Sequence, residues 1–93
     1  MSNYAKGRRA EYRSAAVLEA AGYEVTRSAG SKGLFDLIGI SAADVVLVQV
    51  KSGRPPSPAE REALADFQVP PNCRKLIHVW RPRARLPIVT AAG

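Results

Sequence analysis

The 93-residue chain has one cysteine, one histidine, one tryptophan and one methionine, and only 6% of it is aromatic. A single cysteine, Cys73, excludes an internal disulfide and any cysteine-based zinc cluster, and points to a reducing compartment. A single histidine, His78, leaves too little for a histidine metal site. Any metal would therefore be held by oxygen, which favours magnesium or manganese. No apolar run approaches the roughly 18 residues of a membrane span. The opening residues Met1 to Lys6 turn polar at once, without the apolar stretch of a secretion signal. A cytoplasmic protein without membrane attachment is expected. There is no internal repeat and no low-complexity stretch. With 46% hydrophobic and 24% charged residues, the composition is that of a folded chain. At this length one domain spanning 1–93 is expected, with no room for a separate small-molecule cofactor domain. Its core must be modest, so burial in a homo-oligomer would help it.

Acidic residues are also scarce. Fourteen Lys and Arg against eight Asp and Glu give a net charge of +6, and arginine outnumbers lysine ten to four. The planar guanidinium fork suits phosphate oxygens, so nucleic acid is the partner the charge favours. A merely solvated basic surface has the same composition.

What is present reads as α-β-β-β-α-β. Residues 4–21 are rich in Ala, Leu, Glu and Arg and are stopped by Gly22, which predicts a helix. Its apolar side carries Tyr4, Gly7, Glu11, Ser14, Ala15, Leu18 and Ala21. Strands are predicted at 23–27, 34–40 and 45–51, the last β-branched at its centre. Ser57-Pro58-Ala59-Glu60 is a capping box, with Ser as N-cap, Pro at the first helical position and Glu at the third. The helix it opens runs to about Phe67. Residues 74–81 alternate as a strand, and a further short strand fits 86–90. Short links between the first three strands predict an antiparallel meander. The second helix then crosses over to the next strand, giving a mixed central sheet flanked by helices.

Four polar residues sit where this pattern wants apolar ones. Glu11 lies on the apolar side of the first helix. Asp36 interrupts Leu34-Phe35-Asp36-Leu37-Ile38. Gln49 and Lys51, two apart, share a strand face. Each has a local reading: Glu11 paired with Lys51, Asp36 capping a turn, Gln49 solvated at an edge. Together they suggest a metal site, because polar groups on buried faces need a partner. Two carboxylates and an amide oxygen make a hard oxygen site for Mg²⁺. A lysine beside it would orient water or stabilise charge on a phosphorane-like transition state, which fits phosphodiester hydrolysis.

Asp36, followed thirteen residues on by Gln49-Val50-Lys51, resembles the D…(D/E/Q)-x-K signature of the PD-(D/E)XK nuclease superfamily, and the element order matches its restriction-endonuclease-like αβββαβ core. Lys6-Gly7-Arg8-Arg9-Ala10-Glu11 resembles the opening K-G-x-x-x-E of archaeal-type Holliday junction resolvases. Residues 27–36, Arg27-Ser28-Ala29-Gly30-Ser31-Lys32-Gly33-Leu34-Phe35-Asp36, resemble their R-x-x-G-S-x-G-x-x-D segment. The similarity covers about residues 4–81.

The resemblance implies a Mg²⁺-dependent (or Mn²⁺-dependent) endonuclease that acts as a homodimer and cuts opposed strands of a four-way DNA junction. Glu11, Asp36 and Gln49 would be the metal ligands, Lys51 the catalytic lysine, and Ser31 the loop serine at the scissile region. Gln49 departs from the family's usual glutamate, and an amide oxygen is a neutral, weaker ligand. Lys6, Arg8, Arg9, Arg27, Lys32 and Arg54 are the expected DNA contacts around the site, with Arg81, Arg83 and Arg85 as a second cluster. Tyr4 and Tyr12 are expected to pack, and His78 to lie in a core or interface. Phe67, Leu76, Trp80 and Ile88 are candidates for the dimer contact, or else core. Alternatives are another nuclease of the superfamily acting on branched or nicked DNA, a cleavage-deficient DNA-binding module on the same fold, or a small RNA-binding protein.

Overall fold

A computed structural model describes residues 3–28 and 33–92, with side chains from Lys6 onward. The elements are α1 (Asn3–Ala20), β1 (Glu24–Arg27), β2 (Leu37–Ile40), β3 (Val45–Ser52), α2 (Pro58–Asp66), β4 (Cys73–Trp80) and β5 (Ile88–Ala91). The five strands form one sheet in chain order. Only β3 and β4 are parallel, and they are the pair joined through α2. The expected meander, crossover and mixed sheet are all present.

Local signals set the element ends. α1 stops because Gly22 takes φ +98°. Its N–H bonds the Glu19 carbonyl, and the Tyr23 N–H bonds that of Leu18, which is a Schellman closure. α2 opens with Ser57 as N-cap and a complete capping box with Glu60. At Gly39 backbone and side chains come close: a Cβ there would lie 2.8 Å from Val46 Cγ2.

Alternation along the strands fills both faces. Leu37, Val46 and Val48 pack with Leu18 under α1. Ile77, Val79 and Phe35 pack with Leu64 of α2 on the other side. The helical face of α1 is narrower than expected. Ala10, Ser14 and Leu18 are buried, whereas Ala21 is exposed. Ser14 is fully enclosed; its Oγ accepts from Trp80 Nε1 at 2.7 Å and lies 2.9 Å from His78 Nδ1. His78 is thus a core residue. Trp80 is too, at 4% exposure, and Leu76 packs beneath α1. Neither stands out as a surface anchor for a dimer, because β4 is an interior strand between β3 and β5, with Trp80 buried and Leu76 partly buried. Phe67 and Ile88 remain exposed, at 45% and 52%.

Candidate active site

β2 and β3 stop pairing where the polar residues begin. The last register pair is Leu37 with Val48. The Asp36 N–H still donates to the Val48 carbonyl at 2.8 Å. The next strand donor, the Val50 N–H, goes instead to Asp36 Oδ2, also at 2.8 Å. Asp36 therefore caps no turn; its carboxylate stands in for a strand carbonyl where the two strands part. Burial pushes the Asp36 carboxyl above its ordinary value. The Val50 hydrogen bond pulls it back, nearby Glu11 raises it again, and Lys51 and Arg27 oppose that. Residues from α1, β1 and β3 thus act on one half-buried carboxyl.

Gln49 follows Val48 on β3 and is 7% exposed, so it is not a solvated edge residue. Its Oε1 is buried with no hydrogen-bond partner among the described residues. An acceptor left in that state costs roughly 1–3 kcal/mol. No group of three His, Cys, Asp or Glu side chains suited to a metal occurs among the described residues. That follows from the sequence, where the third donor is an amide. The donors that remain, the Asp36 and Glu11 carboxylates and the orphaned Gln49 oxygen, are all hard oxygens and fit a divalent cation of the magnesium type.

Glu11 and Lys51 do not pair with each other. Glu11 Oε1 accepts from Arg27 Nη2 at 3.0 Å and from its Nε at 3.2 Å. Lys51 Nζ donates to Glu60 Oε2 at 2.5 Å. The other Glu60 oxygen accepts the Ser57 N–H in the capping box, at 3.0 Å. The Lys51 hydrogen bond and then the Ser57 N–H hold the Glu60 carboxyl below its ordinary value. Both side chains are about a third exposed, so the pair adds little stability. Its effect is positional: one carboxylate fixes the start of α2 and the head of Lys51 together. The capping box was legible, but its glutamate's second oxygen carries no sequence signal.

The basic residues divide into groups. Arg54 lines an open groove with Lys51, Ser57 and Glu60. Arg27 is tied to Glu11. Its guanidinium lies 5.8 Å from the Tyr12 ring centroid, and that of Arg8 lies 6.0 Å from it. Tyr12 does not pack inward as expected; it is 57% exposed. Lys6 and Arg9 line a different cavity, together with Arg13, which sequence reasoning had passed over. Ser31 and Lys32 lie outside the described residues, as does the Tyr4 side chain.

No helix among the described residues is long and apolar enough to cross a membrane. Comparison with curated proteins gives no significant match. Among solved structures, the chain is similar to a Holliday junction resolvase, Hjc, of the archaeal hyperthermophile Archaeoglobus fulgidus. The TM-score is 0.74 at 23% identity, covering 94% of this chain and 73% of that one. This likeness establishes the fold. A family model described as archaeal Holliday junction resolvase matches residues 2–63, two thirds of the chain. That segment holds Glu11, Asp36, Gln49, Lys51 and Glu60. With fold and family model in agreement, the chain belongs to the archaeal Holliday junction resolvase family, whose members are nucleases and generally metal-dependent.

Proposed function

We propose that the protein is a Mg²⁺-dependent endonuclease that resolves four-way DNA junctions by paired cuts as a homodimer. The observation that carries the reading is the buried, unpartnered Gln49 oxygen beside a carboxyl whose charge is disfavoured by burial. Both groups gain from a cation. Glu11, Asp36 and Gln49 would hold it, with Mn²⁺ as a substitute. When bound, such a cation lowers the pKa of an attacking water and neutralises charge on phosphoryl oxygens.

The chain's own residues supply the rest. Lys51, steadied by Glu60, places its ammonium to stabilise charge developing on the phosphate. Arg27 holds Glu11 in position until the site is charged. Lys6, Arg8, Arg9, Lys32 and Arg54 contact DNA phosphates, and Ser31 meets the scissile region. A two-fold dimer presents two sites to a junction that is itself two-fold. The exposed Leu86, Ile88 and Val89, on and beside edge strand β5, support self-association.

The test is a gel assay with a synthetic four-way junction and a linear duplex of matching sequence, each with Mg²⁺ and with EDTA. The expected result is paired cleavage of the junction alone, with Mg²⁺ alone, by a species that light scattering sizes at twice 10.0 kDa. Tight junction binding without cleavage in Mg²⁺ would make this a binding module on a nuclease fold.

A further inference from the structure

Beside the groove at Lys51 lies a second cavity, of about 260 Å³, on the α1 side of the sheet. Lys6, Arg9 and Arg13 form one wall and Arg81 and Arg83 the other. No carboxylate lines it, and among the described residues no ion pair reaches any of the five cations. Cations crowded without a counter-charge repel one another, so an anion belongs between them.

Two features show that the cavity is built. The Arg13 guanidinium lies 4.1 Å from the centroid of the Trp80 ring. Its Nη2 donates to the carbonyl of Ala84, which ties α1 to the segment after β4. Trp80 is itself fixed by its bond to Ser14. The second feature is the turn at residues 81–84, closed by the Ala84 N–H on the Arg81 carbonyl at 3.1 Å. Pro82 occupies its second place, and Arg83 follows with φ +64°. That is a type II pattern, in which glycine or asparagine is the unstrained third residue. Here the strained conformation is taken by an arginine whose side chain lines the cavity. Strain of this kind persists at positions that serve function.

We propose that this cavity grips a backbone phosphate of the cut DNA strand, beyond the scissile position. The proposal rests on the nuclease reading and extends it to a site outside the active centre. The cavity and the groove along Lys51 and Arg54 share Ser52 and Gly53. A strand leaving the scissile position passes those two residues and enters the cavity. Arginine forks bind phosphate oxygens in bidentate fashion, and four of the five cations here are arginines: Arg9, Arg13, Arg81 and Arg83. A free phosphate would satisfy the same chemistry, but only a polyanion would span both the groove and the cavity.

Arg83→Gly is the decisive variant, because it removes the cation and relieves the backbone. Arg83→Asn, which also tolerates positive φ, is its companion. Junction binding is followed by fluorescence anisotropy in EDTA over a range of salt, and folding by thermal melts. The proposal expects both variants to keep the wild-type melting temperature or exceed it. Their junction affinity should fall severalfold, with a log–log salt slope shallower by about 0.9, the contribution of one phosphate contact. Inorganic phosphate should compete only weakly. Unchanged affinity and slope in folded variants would overturn the proposal while leaving the nuclease reading intact. So would inorganic phosphate binding that the variants lose while their junction affinity holds. A wild-type chain that binds no DNA would overturn both readings.

Discussion

Two aspartates stand at opposite ends of the same strand pair, and their surroundings differ in kind. Asp44 precedes β3 at the turn from β2. Tyr23 Oη lies 2.8 and 3.0 Å from its two oxygens, Ser41 Oγ donates at 2.8 Å and Arg74 Nε at 3.0 Å. Arg74 also donates to the Tyr23 hydroxyl, at 2.9 Å. These bonds, Tyr23 first and then Ser41, hold the Asp44 carboxyl below its ordinary value. Asp36, at the other end, receives one backbone N–H and is pushed up by burial. Its neighbour Gln49 has an oxygen with no partner. One end of the sheet is closed by polar groups that satisfy each other. The other leaves the Gln49 oxygen without a partner among the described residues and the Asp36 charge disfavoured by burial. On the proposed reading, the end with the unpartnered oxygen is where a cation would sit.

The largest expected effect separates the two ends by activity. Asp36→Asn should lower junction cleavage by at least about 10²-fold, the loss typical of removing one preorganised charge-stabilising group. Its junction binding should persist, since phosphate contacts lie elsewhere. Asp44→Asn should leave cleavage by the folded protein unchanged. Single-turnover gel assays on both variants check this. Equal losses would mean that the closed end also serves catalysis.

Next in size is the repair of the family's usual ligand. Gln49→Glu adds a third carboxylate to the open end. The Mg²⁺ concentration giving half-maximal cleavage should fall, roughly tenfold, because ligand charge sets the affinity of hard cations. In EDTA the same variant should melt lower than wild type, since it buries a further negative charge beside Asp36 and Glu11. A metal titration followed by melting reads both effects.

Much of this was legible in the sequence, and the division is physical. The α1 stop at Gly22 and the α2 start at Ser57 to Glu60 depend on residues three to five apart, so local spacing predicts them. The sheet order follows from short links and one crossover helix. The four polar residues stood out because each breaks an apolar pattern. Partner choice was not legible. Whether Glu11 meets Lys51 or Arg27 depends on how α1 lies across β1, and that is a tertiary fact. Lys51 finds Glu60 because α2 starts beside the end of β3. Trp80 looked like spare apolar surface until β4 took an interior place between β3 and β5, with Ser14 of α1 to receive its N–H. Arg13 was invisible because nothing in its spacing announces a tryptophan sixty-seven residues on.

Between the two ends, Ser14 shows what a closed polar cluster is worth inside the core. Its oxygen accepts from Trp80 Nε1 and lies within hydrogen-bond distance, 2.9 Å, of His78 Nδ1. Burial lowers the pKa of the histidine, which favours its neutral form. Ser14→Ala removes the partner of the buried Trp80 N–H and of the buried His78 ring nitrogen. It should cost roughly 1–3 kcal/mol. For a domain of this size each kcal/mol lowers the melting temperature by about 4–8 °C. Calorimetry at pH 7 measures the loss. A negligible change would mean that water replaces the serine, and that the interior is more open than its burial suggests.

The smallest effect is the sharpest comparison, because the two aspartates must behave with opposite sign. Asp36 has a folded pKa above the ordinary 3.8, so its contribution is most favourable below 3.8 and is lost as pH rises through the folded value. At pH 7, in EDTA, its charge is a liability, and Asp36→Asn should melt above wild type, with the new amide oxygen still accepting the Val50 N–H. Asp44 has a folded pKa below 3.8, so its contribution is present above 3.8 and is lost only as pH falls through that lower folded value. Asp44→Asn should therefore melt below wild type at pH 7. On acidification from pH 7, the Asp36→Asn advantage should disappear first, on passing a pKa above 3.8. The Asp44→Asn deficit should outlast it to lower pH. Melts of the three proteins across pH 3–7 give the order directly. If Asp36→Asn melted below wild type at pH 7, the Asp36 carboxylate would be a satisfied structural group like Asp44, and the contrast between the two ends of the sheet would fail.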